Sequence, residues 1–129
     1  MKIIDTDIAI DHFHGHRAAL DYFAENIAVG QVLAVSVVTL AEFLGGMREG
    51  EQKRTERLLH LFTILDAHQD IARRAAFYLR QFRSSHRLEL GDALIAATAA
   101  YHNAELVTRN RKHYPMQDIA IVTPYERGK

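Results

Sequence analysis

Short apolar runs alternate with longer amphipathic stretches along the chain, and that alternation limits the fold more than any other feature. The runs are Lys2 to Asp5, Gln31 to Val35, Phe62 to Leu65, Glu105 to Thr108 and Ile119 to Val122, the last stopped by Pro124. Thr6 or Asp7 can cap a helix that starts near Ile8 and breaks at Gly15. Arg17 to Ala28 spaces Ala18, Leu20, Phe23, Ala24 and Ile27 as one helix face does, and Gly30 closes it. Ser36 or Thr39 leads into a helix that carries Glu42 and ends at Gly45-Gly46. Glu51 to Leu61 is amphipathic, Gln69 to Phe82 places Ile71, Ala75, Tyr78, Leu79 and Phe82 on one face, and Gly91 precedes an alanine-rich helix from Asp92 to His102. Strands alternating with helices predict a mostly parallel sheet covered on both faces. In such sheets ligands collect beyond the carboxyl ends of the strands.

Composition narrows the function. At 129 residues and 48% apolar, the chain is expected to be a single domain over residues 1–129 with a real core. The absence of cysteine excludes a disulfide framework, a thiolate zinc site and a cysteine nucleophile. Met1-Lys2-Ile3-Ile4-Asp5 has no signal-peptide core, and no apolar run approaches a membrane span. The expectation is a cytoplasmic chain with no membrane contact. Formal charge is zero, but its distribution is uneven. Arg73, Arg74, Arg80, Arg83 and Arg87 lie between Ile71 and Leu88 with no acid among them, and Arg109-Asn110-Arg111-Lys112-His113 follows a predicted strand. These are either solvated faces or local positive surfaces beside an acidic centre.

Three acids interrupt otherwise apolar stretches. Asp5 ends the first strand, Glu42 lies in Ser36-Val37-Val38-Thr39-Leu40-Ala41-Glu42-Phe43, and Asp92 opens Gly91-Asp92-Ala93-Leu94-Ile95-Ala96-Ala97-Thr98-Ala99. Acids are seldom buried unpaired. The predicted topology turns all three toward one sheet rim, where Thr108-Arg109-Asn110 also ends a strand. Carboxylate oxygens suit Mg²⁺ or Mn²⁺, and such a site can hydrolyse phosphodiesters. Other readings stand beside this one. Asp5 and Asp92 can cap helices, and Glu42 can sit on an exposed face. Asp7, Asp11 and Glu89 are read as caps or solvated acids. His12, His14 and His16 straddle a helix end and are not expected to converge on zinc. His113 suits RNA or the surface, and Phe77, Tyr78 and Phe82 suit core or dimer packing.

The chain resembles the PIN domain, and within it the VapC-type toxins of bacterial and archaeal toxin–antitoxin pairs. Four motifs carry the resemblance over nearly the whole length: Ile4-Asp5-Thr6-Asp7-Ile8, the Glu42 segment, the Asp92 segment and Leu106-Val107-Thr108-Arg109-Asn110-Arg111-Lys112-His113-Tyr114. The resemblance implies a Rossmann-like three-layer sandwich with helices on both sides of a mostly parallel sheet. It implies a metal-dependent endoribonuclease acting on transfer or ribosomal RNA and leaving a 5′-phosphate and a 3′-hydroxyl. A homodimer and a cognate antitoxin seated in the active-site groove also follow from it. Carried over by position, Asp5, Glu42 and Asp92 are the catalytic and metal-binding acids, with Mg²⁺ or Mn²⁺ as cofactor. Thr6, Thr108 and Asn110 support them. The basic loop itself suggests that Arg109, Arg111 and Lys112 hold flanking phosphates. Two positions depart from the pattern. Asp7 replaces the usual Asn, adding a charge or changing a cap. Asn110 replaces a frequent acid, which implies one firmly held metal and a second bound only with RNA.

Rival readings have their own motifs. Asp5-Thr6-Asp7 with Gly91-Asp92 mimics a haloacid-dehalogenase-like phosphatase, with Asp5 as nucleophile and Asp7 as general acid. Ala9 and Ala96 stand where that chemistry expects other residues. A catalytically silent PIN-like binding module is the non-enzymatic alternative. A phosphoacceptor receiver domain lacks an acid at a suitable strand end, Asp66 being the nearest.

Overall fold

The computed structural model describes residues 1–126. The strands are Lys2–Ile4 (β1), Leu33–Ser36 (β2), Thr63–Leu65 (β3), Glu105–Val107 (β4) and Ile121–Val122 (β5). The helices are Thr6–Phe13 (α1), Arg17–Ala28 (α2), Val37–Gly45 (α3), Gln52–Leu59 (α4), Gln69–His86 (α5) and Leu90–Tyr101 (α6), with a short 3₁₀ turn at Arg111–His113. All strand pairs are parallel, in the order β3-β2-β1-β4-β5.

Adjacent strand residues face opposite layers. Ile3, Ala34 and Leu106 pack with Ile71, Ala75 and Tyr78 of α5 and with the alanines of α6. Their neighbours Ile4, Val35 and Val107 pack with Ile8 of α1, Phe23 of α2, Phe43 of α3 and Leu58 of α4. This is the expected three-layer α/β sandwich. Each fully buried large apolar side chain contributes about 1.5–3 kcal/mol, so the two faces together hold the sheet between its helices. Ala93, Ala96, Ala97 and Ala99 are wholly buried. Their small side chains let α6 approach the sheet closely.

The strand order reverses direction at β1. The chain builds outward through β2 and β3 on one side, then through β4 and β5 on the other. A crevice opens at such a point beyond the strand ends. Asp5 follows β1 there and Thr108 follows β4. The Asp5 amide donates to Val107 O at 2.9 Å, which locks the two strand ends together.

Several boundaries differ from the sequence expectation. Asp5, rather than Thr6 or Asp7, caps α1: its extended backbone continues the strand while Oδ1 accepts from the Thr6 amide at 2.8 Å. Helix α5 continues beyond Phe82 to His86 and ends at Arg87 in the left-handed region, φ 52°. No glycine marks that stop. Helix α6 begins at Leu90, so Gly91 and Asp92 lie within its first turn. Ser36 caps α3, with Oγ accepting from the Val38 amide at 3.0 Å.

Candidate active site

Asp5 is the anchor of the site. It is 6% exposed and receives three hydrogen bonds. The Thr6 amide reaches Oδ1, while the Thr108 hydroxyl at 2.7 Å and the Tyr114 phenol at 2.9 Å reach Oδ2. Thr108 is itself held by the Asn110 amide at 3.0 Å. The strand-end geometry of β1 and β4 therefore fixes this carboxylate from both sides.

Tyr114 joins Asp5 to Asp92. Its hydroxyl lies 3.4 Å from Asp92 Oδ1 and nearer to Asp5, so the single proton goes chiefly to Asp5. Burial, then Asp5 and Asp92, push the phenol far above its ordinary value, so it stays protonated. Asp92 sits in the first turn of α6, where the helix dipole favours negative charge. Burial and then repulsion from Asp5 still raise its pKa, partly offset by His113 and the Tyr114 hydrogen bond. His113 Nδ1 lies 3.8 Å from Asp92 Oδ2.

Glu42 reaches the same rim from α3 and is exposed. Its Oε1 accepts from Thr6 Oγ at 2.7 Å, and Thr39 Oγ lies 2.9 Å from that hydroxyl. A carboxylate only accepts, so Thr6 donates to Glu42 and Thr39 donates to Thr6. The spacing of Thr39 and Glu42 puts both on one face of α3.

Asp7 is neither a cap nor a solvated acid. Its Oδ2 accepts from the Arg109 amide at 3.1 Å and from Asn110 Nδ2 at 3.0 Å. Burial and then Asp5 raise its pKa from 3.8 to about 6. Its Oδ1 is buried without a hydrogen-bond partner. Asp11 also differs from the expectation of a cap or solvated acid. It is 1% exposed, accepts from the Tyr125 phenol at 2.9 Å, and pairs with Arg109. Arg109 Nε lies 2.8 Å from Asp11 Oδ2, as a charge pair off the hydrogen-bonding direction. The guanidinium of Arg109 is thus turned onto α1. Arg111 donates to Ile121 O at 3.1 Å and stays exposed, as does Lys112. His12 stacks on Phe23 and His16 on Tyr125, so the three early histidines do not converge. Glu89 is exposed.

The sequence reading gave no site role to Tyr114, Thr39 or Tyr125, and it took Asp11 for a cap or solvated acid. Thr39 had a signal in its three-residue spacing from Glu42. Tyr114 had a weaker one, as an aromatic residue closing a basic loop. Asp11 and Tyr125 are far apart in sequence and gave none.

The donor set suits a hard divalent cation. Among the described residues no group of three or more His, Asp or Glu side chains is arranged to hold a metal as it stands. Mg²⁺ needs less than that, since it commonly takes one or two carboxylates and keeps several waters. Asp5 and Asp92 converge on one phenol, Asp5 raises the pKa of both other acids nearby, and Asp7 Oδ1 is an orphaned buried oxygen. Positive charge relieves all three conditions. A groove of about 230 Å³ runs from Glu42 between α1, α3 and α4, lined by Ile10, Phe13, Phe43 and Met47.

Known proteins match both sequence and fold. Residues 2–119 match the PIN domain family model. Ribonuclease VapC10 of Mycobacterium tuberculosis is 44% identical over 117 residues, covering 90% of this chain and 87% of that protein. Ribonuclease VapC19 of the same organism is 42% identical over 117 residues, covering 90% and 94%. A chain in a toxin–antitoxin complex from Klebsiella pneumoniae superposes with a TM-score of 0.76 at 33% identity, covering 98% of this chain and 99% of that one. These matches set aside the phosphatase and receiver readings. With its strand order, its rim of acids and these relatives, the chain belongs to the PIN domain family and, within it, to the VapC proteins.

Proposed function

We propose that this chain is the ribonuclease toxin of a toxin–antitoxin pair, cutting RNA phosphodiester bonds with the help of Mg²⁺ or Mn²⁺. The carrying observation is the shared Tyr114 phenol, which holds Asp5 and Asp92 to one point at the strand-end crevice. Asp5 and Asp92 would be the metal ligands. When bound by them, a divalent cation would supply charge neutralisation at phosphate and a more acidic water.

The residues themselves do the positioning. Asp5 is fixed by Thr6, Thr108 and Tyr114, so its carboxylate needs no reordering when substrate arrives. Glu42, held by Thr6, is exposed at the rim, and there it can orient water or accept its proton. Lys112 is exposed and suits a flanking phosphate, as do the N–H groups of exposed Arg111 that do not bind Ile121 O. Arg109 is better suited to holding the loop, since its charge is matched by Asp11. In-line attack of water at phosphorus breaks the P–O3′ bond, and the protonated O3′ leaves as a 3′-hydroxyl while the phosphate stays on the 5′ side. An RNA substrate puts the activity in the cytoplasm.

The groove beside Glu42 suits an antitoxin segment with apolar anchors and a basic group facing the acid. The Klebsiella relative's presence in a toxin–antitoxin complex supports an antitoxin partner for this chain. Function as a homodimer is part of the same proposal.

The test is cleavage of pooled transfer and ribosomal RNA with Mg²⁺, with Mn²⁺ and with EDTA, beside Asp92→Asn. Metal-dependent cleavage absent from the variant is expected. RNA binding without cleavage under either metal would favour the silent binding module instead.

A further inference from the structure

We propose that the outer face of α5 is a second RNA-binding surface, an arginine track that takes the sugar–phosphate backbone away from the cut site. The proposal rests on the ribonuclease reading and extends it to the part of the RNA that the acids do not touch.

The buried side of α5 carries Ile71, Ala75 and Tyr78. At helical spacing, Arg73, Arg80 and Arg83 fall on the opposite side, Arg87 follows at the carboxyl end of the helix, and all four are exposed. Arg74 turns the other way and pairs with Asp118 at 2.8 Å. Among the described residues, the other four arginines take part in no salt bridge. Ala76 and Ser84 separate them, leaving a shallow hollow of about 400 Å³ walled by Arg80 and Arg83. Three arginines on this face and a fourth at its carboxyl end repel each other and suit a polyanion.

Placement says which anion. Only residues 87–89 link α5 to α6, and His68 before α5 meets the ring of Tyr101 at the end of α6, centroids 4.5 Å apart. The two helices are therefore antiparallel, and the carboxyl end of α5 lies at the rim that holds Asp92. Arg87 is nearest the acids, and the track then recedes for about 21 Å to Arg73 at 1.5 Å per residue. That length spans about six nucleotide steps of one duplex strand. The chain has zero net charge and an acidic centre, so a polyanion needs such a surface to be retained near the rim. Guanidinium groups suit phosphate, with paired N–H donors.

The test is binding of bulk transfer RNA in EDTA from 0.05 to 0.3 M salt by wild type, Arg80→Gln/Arg83→Gln, and a control pair on α4, Lys53→Gln/Arg57→Gln. Losing two phosphate contacts should weaken affinity about thirtyfold at 0.1 M salt and make the log–log slope shallower by about 1.5. The control should keep the wild-type slope. An unchanged slope in the α5 variant, with wild-type cleavage of the same RNA intact, overturns the track and leaves the ribonuclease reading standing. An equal loss in the control also overturns it, since the effect is then general charge. A wild type that neither binds nor cleaves RNA removes both readings together.

Discussion

The carboxylates of the site are not equivalent, and substitution should separate them. Asp92 is half-buried and repelled by Asp5, with one long hydrogen bond from Tyr114. Asp92→Asn should reduce cleavage at least a hundredfold while leaving the thermal midpoint unchanged or raised. Asp5 also caps α1 and receives Thr108 and Tyr114, so Asp5→Asn should lose cleavage and about 1–2 kcal/mol of stability. Equal midpoints in EDTA for the two variants would contradict this difference. Asp7 offers a test by pH. Its pKa is raised from 3.8 to about 6 by burial and by Asp5. The folded chain thus keeps a proton that the unfolded chain releases, and stability falls as pH rises from about 4 to 6. The unfavourable charge is absent below that window and fully present above it. Asp7→Asn in EDTA should gain about 1–2 kcal/mol over wild type at pH 7, discounted for partial exposure, and nothing at pH 3.5. A pH-independent difference in midpoint would assign the effect to packing. The acids at 5, 42 and 92 were legible in the sequence because each breaks an apolar run. Tyr114 and Asp11 were not, because a phenol bridging two carboxylates and an acid buried against Arg109 depend on contacts between distant segments.

At the level of elements, periodicity located the strands and helices, and local chemistry misplaced some of their ends. Arg17–Ala28 matched its predicted bounds because the helical pattern runs directly into a glycine-terminated loop. Helix α5 overran its prediction because its last turn is polar and its stop is Arg87, with φ 52° and ψ 40°, rather than glycine. A side chain in that conformation costs about 1–2 kcal/mol, and glycine relieves the strain at some cost in unfolded-chain entropy. Arg87→Gly should therefore stabilise the fold by about 0.5–1 kcal/mol. The same substitution removes the arginine nearest the acid rim, so it should also weaken RNA binding. Thermal melting and RNA titration of one variant should move in opposite directions. A lower midpoint would mean that the Arg87 side chain packs favourably enough to outweigh its backbone strain. Asp11, Arg109 and Tyr125 couple other elements, tying the last described segment and the loop after β4 to α1. This is why Arg109 is a poor choice for testing phosphate contact, and Lys112, exposed on the same loop, is the cleaner one.

Across the whole molecule, opposite surfaces flank one acidic centre. The α5 face is basic, whereas the groove between α1, α3 and α4 is mostly apolar, with Glu42, Arg48 and Glu51 also in its lining. An RNA chain suits the first, and an inhibitory protein segment suits the second. If the antitoxin seats in that groove, apolar contacts with Ile10, Phe13, Phe43 and Met47 hold it, and its position beside Glu42 blocks access to the acids. Ile10 is 41% exposed on α1, so its replacement disturbs the core little. Ile10→Glu buries a charge in the bound interface and adds a further acid to a groove already lined by Glu42 and Glu51. It should weaken antitoxin binding at least tenfold, equivalent to about 1.4 kcal/mol, while RNA cleavage by the free toxin stays within twofold of wild type. The comparison that decides is titration of both toxins with the cognate antitoxin, read by calorimetry and by inhibition of RNA cleavage. Parallel loss of affinity and inhibition places the antitoxin in the groove. Undiminished inhibition of Ile10→Glu moves its seat elsewhere, with the α5 face the next surface to test by the same titration of Arg80→Gln/Arg83→Gln.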